Sequence, residues 1–170
     1  MGRLEEVWDS MEPKIGLEKR DREGVVEILR RVQADEFVLY TKTRNYHWNI
    51  VGPEFTELHR LFEEQYEALD SIVDEVAERA RVLGERAIGT LAEFSKYTRL
   101  KEAPGSWPTA REMVEDLLGD HEALVRSLRK DLETCLDKYH DTGTNNFLTD
   151  LMNRHEKTAW MLRAHLGKNA

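Results

Sequence analysis

Between residues 45 and 65 the chain reads NYHWNIVGPEFTELHRLFEEQ, which sets two of its six histidines beside carboxylates at helical spacing. Placed on a helix with His59 at zero and 100° per residue, Glu63 falls at about 40°, Asp74 at about 60° and Glu78 at about 100°, so the four share one stripe. The two ends of that stripe lie about 28 Å apart at 1.5 Å per residue, too far for one helix to wrap both around one ion. A second copy can. Two such helices, antiparallel across a two-fold axis near residues 68 and 69, bring the His59 and Glu63 end of one to the Asp74 and Glu78 end of the other, and symmetry makes two equal sites. His47, just before the turn, is placed to fold back beside His59 as a second imidazole. Two histidines with three carboxylates suit iron, manganese or zinc better than calcium, and suit iron redox chemistry in particular.

Other metal and nucleophile patterns are missing from the sequence. No histidine has a glutamate three residues before it, so the Glu-x-x-His motif of carboxylate centres inside a bundle is absent. Neither HEALV nor HEKTA completes the His-Glu-x-x-His zinc spacing. His121, His140, His155 and His165 have no comparable partners and are read as surface or core-edge residues. Cys135 is read as a small buried hydrophobe, because no triad surrounds it. Trp107 and Trp160 are read as packing, and on spacing alone a charged stripe is ordinarily a solvated helix face.

The elements that must position these residues are helices. Val25, Ile28, Leu29, Val32 and Leu39 trace an amphipathic stripe that predicts a first helix from Asp21 to about Trp48. Gly52 makes the turn, Pro53 takes the first position of a second helix, and that helix runs to about Leu83 before Gly84. Leu91 to Tyr97 reads as a short connecting helix between turn signals. Pro108 opens a third long helix to about Tyr139, and Thr144 caps a fourth that ends at Gly167. The gap from Gly84 to Pro108 is too long for adjacent antiparallel helices, so the expected fold is all-α, a ferritin-like four-helix bundle whose crossover between helices two and three carries the short helix. Residues 1–20 are read as an extension, with a short amphipathic piece around Trp8 and Met11, and 21–167 as one bundle domain.

Composition agrees with a single helical domain. The chain has 170 residues, 34% charged and 40% hydrophobic, with a formal net charge of −8 and one cysteine. No apolar run approaches the roughly 20 residues that span a bilayer. The lone cysteine and a start without a leader pattern point to a reducing compartment, the cytoplasm. The negative charge suits a protein that handles cations and disfavours general binding to polyphosphate.

The segments LYTKTRNYHWNIVGPEFTELHRLFEEQYEALDSIVDEVAERARVLG and EKTAWMLRAHLG resemble the Dps family, the miniferritins. The family signature is a His-Trp-Asn after helix one, a second His twelve residues on, an acidic residue four beyond it and an Asp-x-x-x-Glu pair eleven further. His47, His59, Glu63, Asp74 and Glu78 match it in register, with Glu63 standing where members commonly carry Asp. The resemblance implies a shell of twelve subunits with ferroxidase centres at two-fold interfaces. There Fe(II) is oxidised by hydrogen peroxide, or by dioxygen, and stored as ferric oxide, which makes the function detoxification as well as storage. It also implies mineral nucleation at Glu64 and Glu67. Trp48, next to a ligand, is read as shielding the site, or at least as a buried packing aromatic. Asp141 and Asp150, around the start of helix four, are the candidates for an iron pore at a three-fold axis.

Many Dps proteins also coat DNA through basic tails, the competing function. Residues 1–24 hold five basic and seven acidic side chains, only Lys168 is basic after Gly167, and twelve copies multiply the net −8 twelvefold. Counterion release needs clustered positive charge, so weak or absent DNA binding is expected.

Overall fold

The computed structural model describes residues 12–167. Its described residues form five helices and no strand: α1 Lys19–Asn49, α2 Phe55–Val82, α3 Leu91–Tyr97, α4 Ala110–Asp137 and α5 Thr142–Leu166. The four-helix bundle with a crossover carrying a short helix is therefore the observed architecture. The expected amphipathic piece around Trp8 and Met11 lies outside the described residues.

Helix starts follow their capping chemistry rather than the prolines. Pro53 sits in the turn, where Phe55 N–H donates to the Gly52 carbonyl, and α2 begins two residues later than expected. Thr109, not Pro108, caps α4: its hydroxyl accepts from Glu112 N–H while the Glu112 carboxylate accepts from Thr109 N–H. Thr144 does not cap α5, because Asp141 does so from three residues earlier, its carboxylate accepting from Thr144 N–H at 2.9 Å. Gly84 ends α2 at φ +89°, with its own N–H and that of Glu85 donating back to Arg81 and Ala80. Only glycine takes that left-handed position cheaply, and a Cβ there would also meet the Pro13 ring at 2.6 Å.

The core is the joint apolar face of the four long helices, with Leu29, Phe62, Leu117, Leu128 and Leu148 fully buried. α1 packs along α2 and α4 along α5, α3 rests on α1, and α2 barely touches α5. Polar clasps between α1 and α4 help tie the pairs together. Lys42 reaches Asp116 and Asp120 at 3.0 and 2.6 Å, and Tyr46 donates to Asp116 at 2.7 Å. Past α3, Arg99 bridges buried Asp35 and Asp131, each at 2.7 Å.

Cys135 is completely buried, as read from the sequence, and burial pushes its thiol pKa up to about 12, with Asp141 and Asp131 adding to the shift. Thiolate is the reactive form, so native protein at pH 8 should give almost no signal with a disulfide reagent and one full equivalent after denaturation. Rapid labelling of the folded chain would contradict this burial.

Candidate metal centre

The five-residue turn from Ile50 to Glu54 reverses the chain so that the last turn of α1 lies beside the second turn of α2. His47 and His59 meet there with rings stacked, centroids 3.8 Å apart and planes 19° apart. Each ring is locked by the other's backbone. His47 Nδ1–H donates to the His59 carbonyl at 2.8 Å, and His59 Nδ1–H donates to the His47 carbonyl at 2.9 Å. Because a neutral imidazole has one N–H, this reciprocal pair leaves both Nε2 atoms as lone-pair nitrogens, the condition for metal ligation. Phe55 stacks on His59 at 5.0 Å and Tyr66 meets His47 edge-on at 5.2 Å, which holds the rings in place.

Glu63 lies one helical turn beyond His59 and is half-buried. Asp74 and Glu78 are exposed on the same helix but far from the histidines: fifteen residues of α2 put Asp74 about 22 Å along the axis. Among the described residues of one chain, no group of three or more His, Cys, Asp or Glu is placed to hold a metal ion. The chain thus brings together His47 and His59, with Glu63 one turn further along α2, and leaves Asp74 and Glu78 on another part of its surface. Glu64 and Glu67 are exposed on α2.

Three large apolar side chains close to the histidines in the chain are exposed. Trp48 is 66% exposed, Val51 77% and Phe55 45%. The reading of Trp48 as a buried packing residue is corrected within one chain: its ring carries the Arg44 guanidinium, 5.4 Å from the centroid, on an open face. Trp107 and Trp160 are also exposed rather than packed, at 80% and 63%. Their positions follow from the elements, since Trp107 falls in the loop before α4 and Trp160 on the outer side of α5 between core residues Ala159 and Leu162.

The acidic pair assigned to a pore divides. Asp141 is buried, capping α5 and pairing with Arg79 at 3.2 Å, so it presents no free carboxylate. Asp150 is exposed and pairs with Arg154 at 2.7 Å. The remaining histidines divide as well. His140 and His165 are exposed as read, but His121 and His155 are deep in the core and joined to Glu36. A signal for their burial was present in the spacing: His121 follows Leu117 by four residues and precedes Leu124 by three, and His155 stands four from both Leu151 and Ala159.

A family model for the ferritin-like domain matches residues 26–170. DNA protection during starvation protein 2 of Bacillus anthracis is 37% identical over 144 residues, 85% of this chain and 97% of that protein. The chain belongs to the Dps family of ferritin-like proteins. A low-temperature-induced protein of a Nostoc strain is 45% identical over 152 residues, covering 89% of this Dps-family chain and 85% of that protein. Among solved structures, a Vibrio cholerae Dps, described as a member of a broad superfamily of ferritin-like diiron-carboxylate proteins, aligns at TM-score 0.85 and 34% identity over 91% of this chain and 96% of its own. The Dps of Thermosynechococcus elongatus aligns at 0.83 and 32%, over 88% of this chain and 94% of its own. Among the described residues no helix is long and apolar enough to cross a membrane.

Proposed function

We propose that this Dps-family chain is a ferroxidase and iron-storage subunit whose oxidation centre forms only when two copies pair. The observation that carries the reading is the locked His47 and His59 pair, which presents two Nε2 lone pairs and one nearby carboxylate, Glu63, but no further ligands. Asp74 and Glu78 of a second copy supply them when two α2 helices lie antiparallel about the middle of the helix. The exposed Trp48, Val51 and Phe55 form an apolar rim of the kind that a protein partner covers. Trp48 then shields the centre from bulk water.

Fe(II) is the substrate. Two Fe(II) give one electron each to one hydrogen peroxide, whose O–O bond breaks to yield two waters after uptake of two protons, so no single-electron step releases hydroxyl radical. The histidines hold the ions, and the carboxylates offset the added positive charge of Fe(III). Glu64 and Glu67 nucleate the ferric oxide on the inner wall of a twelve-subunit shell, and Asp150 with its neighbours in the assembly admits iron. The same ligands serve dioxygen. DNA coating is no part of this reading, because the net charge of −8 per chain opposes the phosphate backbone.

Anaerobic Fe(II) loading followed by one stoichiometric pulse of peroxide tests the proposal. The wild-type protein should develop ferric absorbance at once, and a chain carrying His59→Ala with Asp74→Ala should slow at least about a hundredfold, the scale of losing the ions' positioning. Equal rates in both would mean that the stripe is a solvated helix face.

A further inference from the structure

The middle of the bundle holds a second polar cluster that the interface centre does not use. Glu36 of α1, Gln65 of α2, His121 of α4 and His155 of α5 come one from each long helix, with 0%, 9%, 2% and 1% exposure. Three of them form a string: His155 Nε2–H donates to Glu36 Oε1 at 2.9 Å, which makes His155 Nδ1 the acceptor of His121 Nδ1–H, also at 2.9 Å. Glu36 Oε2, His121 Nε2 and both polar atoms of the Gln65 carboxamide have no protein partner. An unpartnered buried polar atom costs about 1–3 kcal/mol, so four in one cluster call for polar occupants, water as well as any ion.

The cluster opens onto space. A cavity of 540 Å³, open to solvent on one side, lies between α2 and α5, lined by Gln65, His121 and His155 together with apolar side chains such as Leu69, Ile72 and Met161. Arg154 at its lining is neutralised by Glu75 and Asp150, and Glu64 offsets Lys157, so no net positive charge bars a cation.

We propose that His121 and His155, with the Gln65 amide oxygen, hold one divalent transition-metal ion at the bundle centre, apart from the interface site. Imidazole donors select first-row transition ions over calcium and magnesium. The Glu36 carboxylate accepts the Nε2–H of His155, which leaves Nδ1 as the ligating nitrogen. Two imidazoles on a tetrahedral ion stand about 3.3 Å apart at metal–nitrogen distances near 2.0–2.1 Å, so to admit one the present pair gives up its bridging proton, separates by about 0.4 Å and turns both lone pairs off the line that joins the nitrogens. Solvent in the cavity fills the remaining position. With a single carboxylate, placed behind a histidine, the set fits one ion and not a carboxylate-bridged pair.

Wild-type crystals soaked in cobalt(II) and measured at the cobalt absorption edge decide the matter. An anomalous peak between His121 and His155 is expected, whatever the occupancy of the His47 and His59 site. In solution, the chain carrying His59→Ala with Asp74→Ala should still take up one cobalt(II) per chain with tetrahedral absorption bands. Adding His155→Leu should abolish that uptake, and Glu36→Gln should weaken it about tenfold or more. Ordered water without an anomalous peak in the core of the soaked crystals overturns the proposal, as does uptake unchanged by His155→Leu. The interface centre can fail its own test while this site passes, because the two share no ligand.

Discussion

Chains carrying His59→Ala and chains carrying Asp74→Ala, each without ferroxidase activity alone, are expected to recover about a quarter of the wild-type rate when unfolded, mixed in equal amounts and reassembled. In a two-fold pair each centre takes His47, His59 and Glu63 from one copy and Asp74 and Glu78 from the other. A hybrid pair therefore has one centre with both defects and one with none. Random pairing makes about half the pairs hybrid and restores one of their two centres, which gives the quarter. A centre built within one chain predicts no recovery at all, since every centre would then keep its own chain's defect. The distance along α2 makes the single-chain arrangement untenable: about 22 Å separates His59 from Asp74 along a straight helix. The peroxide pulse on the mixed sample, compared with each variant alone, reads the result directly. No recovery from a correctly reassembled mixture would end the shared-centre reading.

Asp35→Ala should lower the unfolding free energy by about 3 kcal/mol or more, seen as a fall in the urea midpoint without a change in slope. Asp35 is completely buried in α1 and accepts from Thr98 Oγ1 at 3.0 Å and from Arg99 Nε at 2.7 Å. Arg99 continues to Asp131 of α4 at 2.7 Å. This clasp is where the crossover, having left α2 and passed through α3, is tied to two helices of the bundle. Burial pulls the Arg99 pKa down, but the facing carboxylates outweigh it and hold the guanidinium above its ordinary value. Removing one carboxylate leaves a desolvated cation short of a partner, which is the costly case for a buried pair. Asp35→Leu with Arg99→Met and Asp131→Leu, which removes the whole clasp, should recover part of the loss. A fall of less than about 0.5 kcal/mol in Asp35→Ala, the range of ordinary surface substitutions, would mean the clasp does not anchor the crossover.

The sequence by itself determined the helices, because a 3.6-residue period in apolar residues is a local property. α3 was legible to the residue from Leu91 to Tyr97, and the long crossover distinguished this bundle from a simple up-and-down one. It also placed His59, Glu63, Asp74 and Glu78 on one stripe of α2 with the ends far apart, since helical rise and angle need no knowledge of packing. Helix starts were less legible. Asp141 rather than Thr144 caps α5, because the capping carboxylate that reaches a free N–H three residues on wins over a hydroxyl already inside the helix.

Tertiary structure alone decided how side chains from different helices meet. Spacing places His47 near His59, but the exchange of Nδ1–H bonds with each other's carbonyls depends on the relative depth of α1 and α2, which no local period encodes. Trp48, Trp107 and Trp160 read as packing because they are large and apolar, yet each sits on a face that this chain leaves open. The core string from Glu36 through His155 to His121 joins residues 119 and 34 positions apart. Periodicity tells which way a side chain faces on its own helix. What it faces is set by the crossing of four helices, and there two histidines with no local partner became the centre of the bundle.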